Sequence, residues 1–330
     1  MKSNKVWKIV IIVAVIILAA EAAIQFLPLL HAKEDQLGNA EISADIRNLE
    51  IQWTAGKVTV AYHSENFIRV SEKTSGLISG YMRLRWFLDG DTLRIEYDQP
   101  GFHLLSLLPH SKELTVTLPQ GIALDNVSIT AASAEMNIPV LYADSVTLQT
   151  DSGAIHAMVD AQSIKANLTS GAMDLQVMRE AEQVLLESSS GNISLIANGA
   201  IREAAVSTVS GKIRAAVQQA GNFKASSTSG DIQAAVGQAT KAVITSTSGK
   251  VFVETDGMDA LSIRTTSGGV TAYLPTEPGF TARIETVSGR FMNQLPMTGQ
   301  GNTYVAGDGS GKVEISTVSG NILLSGKVSE

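Results

Sequence analysis

A Ser-Gly pair that returns every nineteen residues constrains this chain more than any other feature. Between Val206 and Leu274 the copies read Ser207-Thr208-Val209-Ser210-Gly211, Ser226-Ser227-Thr228-Ser229-Gly230, Thr245-Ser246-Thr247-Ser248-Gly249 and Arg264-Thr265-Thr266-Ser267-Gly268. Ser-Gly stands in the same context at Gly153, Gly171, Gly191, Gly289 and Gly320. A fixed period of about 20 residues marks a stacked repeat, in which no unit buries its own apolar side and each leans on the next.

Counting outward from each glycine gives the local structure. Two residues after it stand Ile155, Met173, Ile193, Ile213, Ile232, Val251, Val270, Phe291 and Ile322. Five before it stand Leu148, Ala166, Leu186, Val206, Ala225, Ile244, Ile263, Ile284 and Ile315. Apolar residues also fill the position seven before, and the position four after in every copy except Asn293. A spacing of two is strand periodicity, so each repeat holds two short strands with one face inward. The inward parity flips at the glycine, which predicts a sharp corner where positive φ and the missing side chain both serve. Ser or Thr stands three before the glycine in all copies but Leu168, and Ser immediately before it in all. These hydroxyls are expected to point inward or into the corner.

The expected fold is therefore all-β, a parallel β-solenoid of 19–20 residues per coil. Right-handedness follows from the hand of parallel crossovers, which holds in about 98% of cases. The same offsets appear around Gly56, with Leu49, Ile51, Val58 and Val60, and around Ala134, where the corner glycine is replaced. Between Gly289 and Gly320 the spacing widens, which predicts a long loop at about 291–311 before Thr317–Ile322 closes the chain. Residues 121–330 form the solenoid and 41–120 an N-terminal β capping region. Within the cap, Trp86, Phe87, Phe102, Leu104 and Leu105 are a candidate interaction surface, facing a partner or a membrane.

Ahead of this lie a polar linker, 31–40, and a leader, 1–30. Lys2, Lys5 and Lys8 precede an apolar run that begins at Ile9. If the run continues past Glu21 to Leu30 it is long enough to cross a bilayer, with the remainder extracytoplasmic. If it ends at Ala20, Ala20-Glu21-Ala22 is a signal-cleavage pattern and the protein is secreted. The first reading puts the chain in the cell membrane as a single-pass protein, with the membrane as partner through this helix. A net charge of −7 argues against nucleic acid as partner. The chain has no cysteine, which excludes disulfides, thiolate metal sites and cysteine nucleophiles.

The N-terminal anchor, the recurrent Thr-x-Ser-Gly-x-Ile coils and the ending Gly307-Asp308-Gly309…Thr317-Val318-Ser319-Gly320-Asn321-Ile322 resemble a bacterial family. Its members are membrane-associated β-strand-repeat proteins of unknown function, labelled candidate adhesins, with LiaG-like proteins among them. The resemblance covers about residues 40–330 and implies the fold. It brings no catalytic residue and no cofactor.

Motifs that suggest chemistry are weak. Leu295-Pro296-Met297-Thr298-Gly299 matches a sortase signal, but a further β-coil follows in place of an apolar span. Gly307–Lys312 lacks the first glycine and the final Ser/Thr of a phosphate loop. His156 has outward parity, and Asp151, Asp160 and Asp174 form either an acidic cluster across coils or a solvated face. No catalytic, metal or cofactor residue is assigned. The sequence predicts a non-enzymatic, membrane-tethered surface protein acting in adhesion, scaffolding or envelope sensing, with an envelope protein or a cell-surface glycan as partner. The alternative is a polysaccharide-active β-helix enzyme, which needs loops that build a cleft with paired carboxylates.

Overall fold

The computed structural model describes residues 37–75, 83–97 and 111–327, which lie in strands, turns and connecting segments. The leader and most of the linker lie outside the described residues, as do Phe102, Leu104 and Leu105. Among the described residues no helix is long and apolar enough to cross a membrane.

Successive repeats pair in parallel, one coil to the next. Ile193 lies beside Ile213, Ile213 beside Ile232, Ile232 beside Val251 and Val251 beside Val270. All five are buried, together with the residues four after and five and seven before each corner in these coils. The inner column continues through Met173, Ile155, Met136, Val58 and Leu114 toward the N-terminal end. Toward the other end it continues through Ile322 to Phe291. At about 4.8 Å per step, the twelve layers of this column span about 50 Å.

Each corner is fixed by how closely the coils approach. A Cβ built on Gly230 would stand 1.7 Å from the Gly211 carbonyl oxygen, and one on Gly211 1.8 Å from that of Gly191. Such distances leave no room for any side chain. The Cβ direction is the same throughout, always toward the coil nearer the N-terminal end. Positive φ is not the general reason: of the nine Ser-Gly corners, only Gly171 has it, at 132°. The expectation of a left-handed corner is corrected accordingly.

The hydroxyl three before the glycine explains the regular corners. Gly191, Gly211, Gly230, Gly249, Gly268, Gly289 and Gly320 each donate their N–H to it, at 2.7–3.0 Å. Leu168 offers no such acceptor, and its corner is Gly171, the one that turns to positive φ. The serines directly before the glycines do not point inward as expected; all nine are exposed.

At both ends the order of coils in space departs from the order in the chain. The first coil, Asn48–His63, is not outermost. It pairs with Asn126–Tyr142 on one side and with the later strands Thr92–Glu96 and Ser111–Pro119 on the other. Those outer strands are covered by antiparallel partners, Arg85–Asp89 and Ile68–Ser75. The last coil behaves the same way. Gly311–Thr317 runs parallel between Ala260–Thr265 and Phe280–Thr286, and Ile322–Gly326 lies between Val270–Leu274 and Phe291–Asn293. The expected loop at 291–311 is instead a strand-bearing return. Thr303–Gly307 pairs antiparallel with Gly279–Arg283, and Thr298–Gln300 pairs with it in turn. The coil closing the sequence is thus intercalated, and does not close the stack.

Candidate interaction surfaces

Among the described residues the most deeply buried charge lies at the N-terminal end. Gly56 sits beside Lys112, so Lys112 occupies the corner of the outermost coil. Among the described residues no coil lies beyond it in the Cβ direction, which is why a side chain is admitted there. Its ammonium lies 3.2 Å from the Glu72 carboxylate and donates to the Tyr97 carbonyl oxygen. The rings of Tyr97 and Trp53 face it at 4.0 and 5.2 Å. Glu72 also accepts the Leu84 N–H at 3.1 Å. A buried ion pair requires this degree of satisfaction, because each charge alone would be stranded away from water.

The candidate pair Trp86 and Phe87 lies on the covering strand, on its two opposite faces. Trp86 stands opposite Ile95 and packs against the core, while Phe87 lies under the Arg85 guanidinium at 4.9 Å. The two rings therefore contribute to no shared surface. The three carboxylates singled out in the sequence also separate. Asp160 pairs with Arg179, and Asp174 with His156 at 3.0 Å. Among the described residues no group of three or more His, Asp or Glu is placed to hold a metal ion.

Two concavities lie where each coil turns a second time, between the strand after one glycine and the strand before the next, near Ala161 and Gly199 in one case and Gln238 and Gly257 in the other. One, of about 730 Å³, runs past Asp125, Tyr142, Asp144, Arg179 and Glu180. Tyr142 meets the Tyr62 ring edge-on at 5.6 Å and donates its N–H to the Tyr62 hydroxyl. Burial raises the Tyr62 pKa, a shift that this hydrogen bond partly offsets. The other, of about 370 Å³, is lined by Met258, Leu274, Pro278 and Phe280, where the regular coils meet the intercalated one.

A third surface is the outer face of a parallel sheet. On the strand that follows each corner, the outward residue three after it reads Arg214, Gln233, Phe252, Thr271, Leu323 and Met292 in spatial order. One position after the corner, the row reads Lys212, Asp231, Lys250, Gly269, Asn321 and Arg290. Tyr273 joins from the next row, its ring 5.3 Å from that of Phe252. Strand alternation made Phe252 and Tyr273 legible as outward apolar residues. The neighbourhood of Leu323 and Met292 was not, because it depends on the intercalation.

A family model described as Toastrack DUF4097 matches residues 41–255 and 158–325. The chain belongs to the Toastrack DUF4097 family. Solved structures similar to this Toastrack chain include a candidate adhesin from Parabacteroides distasonis, 14% identical, covering 88% of this chain and 98% of that one with a TM-score of 0.47. A candidate adhesin from Parabacteroides merdae is 16% identical, with coverages of 73% and 93% and a TM-score of 0.41. A structure from Parabacteroides distasonis described as a candidate lipid-binding protein is 12% identical, with coverages of 88% and 98% and a TM-score of 0.41. No curated protein matches.

Proposed function

We propose that this Toastrack protein is a non-enzymatic, membrane-tethered spacer on the outer side of the cell membrane, a right-handed parallel β-solenoid that presents a binding face in an adhesin-like or scaffolding role. The observation that supports the reading is the uninterrupted stack with an intercalated coil at each end. Parallel hydrogen bonding on both sides of the first and last coils resists fraying where a tether or a bound partner would load the molecule. The leader supplies the anchor, and the stack carries its far end about 50 Å away.

The test is protease shaving of intact cells that express the full chain. Loss of the coils from the cells while the leader stays in the membrane fraction is the expected result. Protection of the coils until the cells are lysed would overturn the reading. A polysaccharide-active enzyme is the second reading, and the concavity beside Asp144 and Glu180 is what favours it. Release of new reducing ends from a cell-wall polysaccharide panel would establish it.

A further inference from the structure

The sheet face following the corners has a composition unlike the rest of the molecule. In a chain of net charge −7, its two outward rows from the Gly211 coil to the Gly289 coil carry Lys212, Arg214, Lys250 and Arg290 against Asp231 alone. Lys212 stands 3.9 Å from Asp231, and Arg214 bonds the Gln233 amide. Lys250 and Arg290 are exposed and form no ion pair among the described residues. They flank a file of outward residues, Phe252, Thr271, Leu323 and Met292, one per coil and apolar except for Thr271, with Tyr273 and Glu254 on the next row.

From this arrangement we infer that the face binds a linear acidic polysaccharide lying along the axis of the stack, its sugar rings on that file and its carboxylates on Lys250 and Arg290. The inference deepens the presenting role proposed above by naming the partner's chemistry. The two cations stand three layers apart, about 14 Å, and Lys212 two layers further, about 10 Å, so charge recurs along one line. Arginine meets a carboxylate through two parallel N–H donors, and the unpaired cations lose no existing partner on binding. Phe252, Tyr273 and Leu323 are only partly exposed, and Met292 alone is prominent, at 46%. Side chains exposed only in part offer a sugar ring a shallow contact and give a bilayer little apolar area to bury. Charge distinguishes the two partners as well. Screening confines a thin polymer's electrostatics to about 8–10 Å, a range that takes in the band and the Glu254 carboxylate, which Lys327 pairs at 3.0 Å, whereas an anionic bilayer would face the acidic residues further out as well. Beside the band lies a groove of about 350 Å³ whose lining includes Ala216, Ala235, Gly237, Glu254 and Asp256, with Lys327 paired to both carboxylates, so an acidic chain is held on the band and not in the groove.

The test is binding of polygalacturonate to the full chain held in neutral detergent, with neutral dextran as comparator and phosphatidylglycerol doped into the detergent as competitor. Saturable binding to polygalacturonate is expected, roughly tenfold weaker in the Lys250→Gln/Arg290→Gln variant and in Phe252→Ala. The affinity should fall as salt rises, with a shallower slope in the charge variant. Both glutamines replace exposed, unpaired groups, so the fold tolerates them, and an unchanged melting temperature verifies this. Absent binding, equal affinity in the variants, or loss of polygalacturonate binding when phosphatidylglycerol is added would each overturn the inference. Because shaving of cells reads location and not affinity, the two tests can fail separately.

Discussion

The two ends of the stack use one topology and two chemistries. At each, the coil nearest the chain terminus sits second from the end, and an antiparallel strand covers the outermost coil. At the N-terminal end the corner is Lys112, sealed by Glu72, Tyr97 and Trp53. At the C-terminal end the corner is still a glycine, Gly289, and the seal is apolar, with Phe291 5.0 Å from Tyr304. The difference comes from the direction of the Cβ. It points toward the N-terminal end in every coil, and among the described residues no further corner stands beyond the outermost coil there. The outermost coil at the other end still meets the Gly320 carbonyl oxygen, at 1.9 Å. A stack of identical corners is directional, and its ends are not equivalent.

The largest expected effect tests that direction. Gly289→Val should lose more than about 4 kcal/mol, because the new side chain enters the Gly320 backbone. Urea unfolding measures it, and a loss below about 1 kcal/mol would break the comparison. Next comes the N-terminal seal. Lys112→Met should cost about 3–5 kcal/mol by stranding the Glu72 carboxylate, with part of the loss recovered in Lys112→Met/Glu72→Gln, where no charge stays buried. A double mutant that loses the sum of both single effects would show that the pair does not act as one unit.

A smaller contrast lies between the ends. Ser227→Ala should cost about 1–3 kcal/mol, since it removes the acceptor of the buried Gly230 N–H. Thr150→Val should cost nothing or add stability, because its hydroxyl finds no partner among the described residues. Equal melting shifts for the two would contradict the corner hydrogen bond. The smallest effect is on pH dependence. Burial holds the Tyr62 phenol above its ordinary value of about 10. The folded chain then keeps a proton that the unfolded chain has released, so stability falls as pH rises past about 10. Tyr62→Phe should flatten that alkaline decline in denaturant midpoints relative to the parent, and an unchanged decline would discount the shift.

Much of the body was legible from the chain alone. The alternation around Gly211, Gly230 and Gly249 identified the buried column, because strand parity and coil period act on every copy alike. The corner was read correctly as a glycine position and only half correctly in its cause. Close approach depends on the spacing of coils, which no single repeat displays. The outward turn of Ser210 and its equivalents was missed for a related reason: parity stops applying inside a corner. The order of the end coils was not legible either. Inward residues such as Val313 and Ile315 fit any slot in the column equally well, so periodicity says what lies inside and not which neighbour it meets. The candidate surface at Trp86 and Phe87 was drawn from hydrophobicity, and consecutive strand residues face opposite ways.

Intercalation at both ends also limits how such a molecule can change in size. A unit appended at either terminus would have to displace a strand already bonded on both sides, whereas one duplicated among the regular windings keeps every register. Longer and shorter relatives should therefore differ by whole nineteen- or twenty-residue inserts in the interior, with both closures left intact.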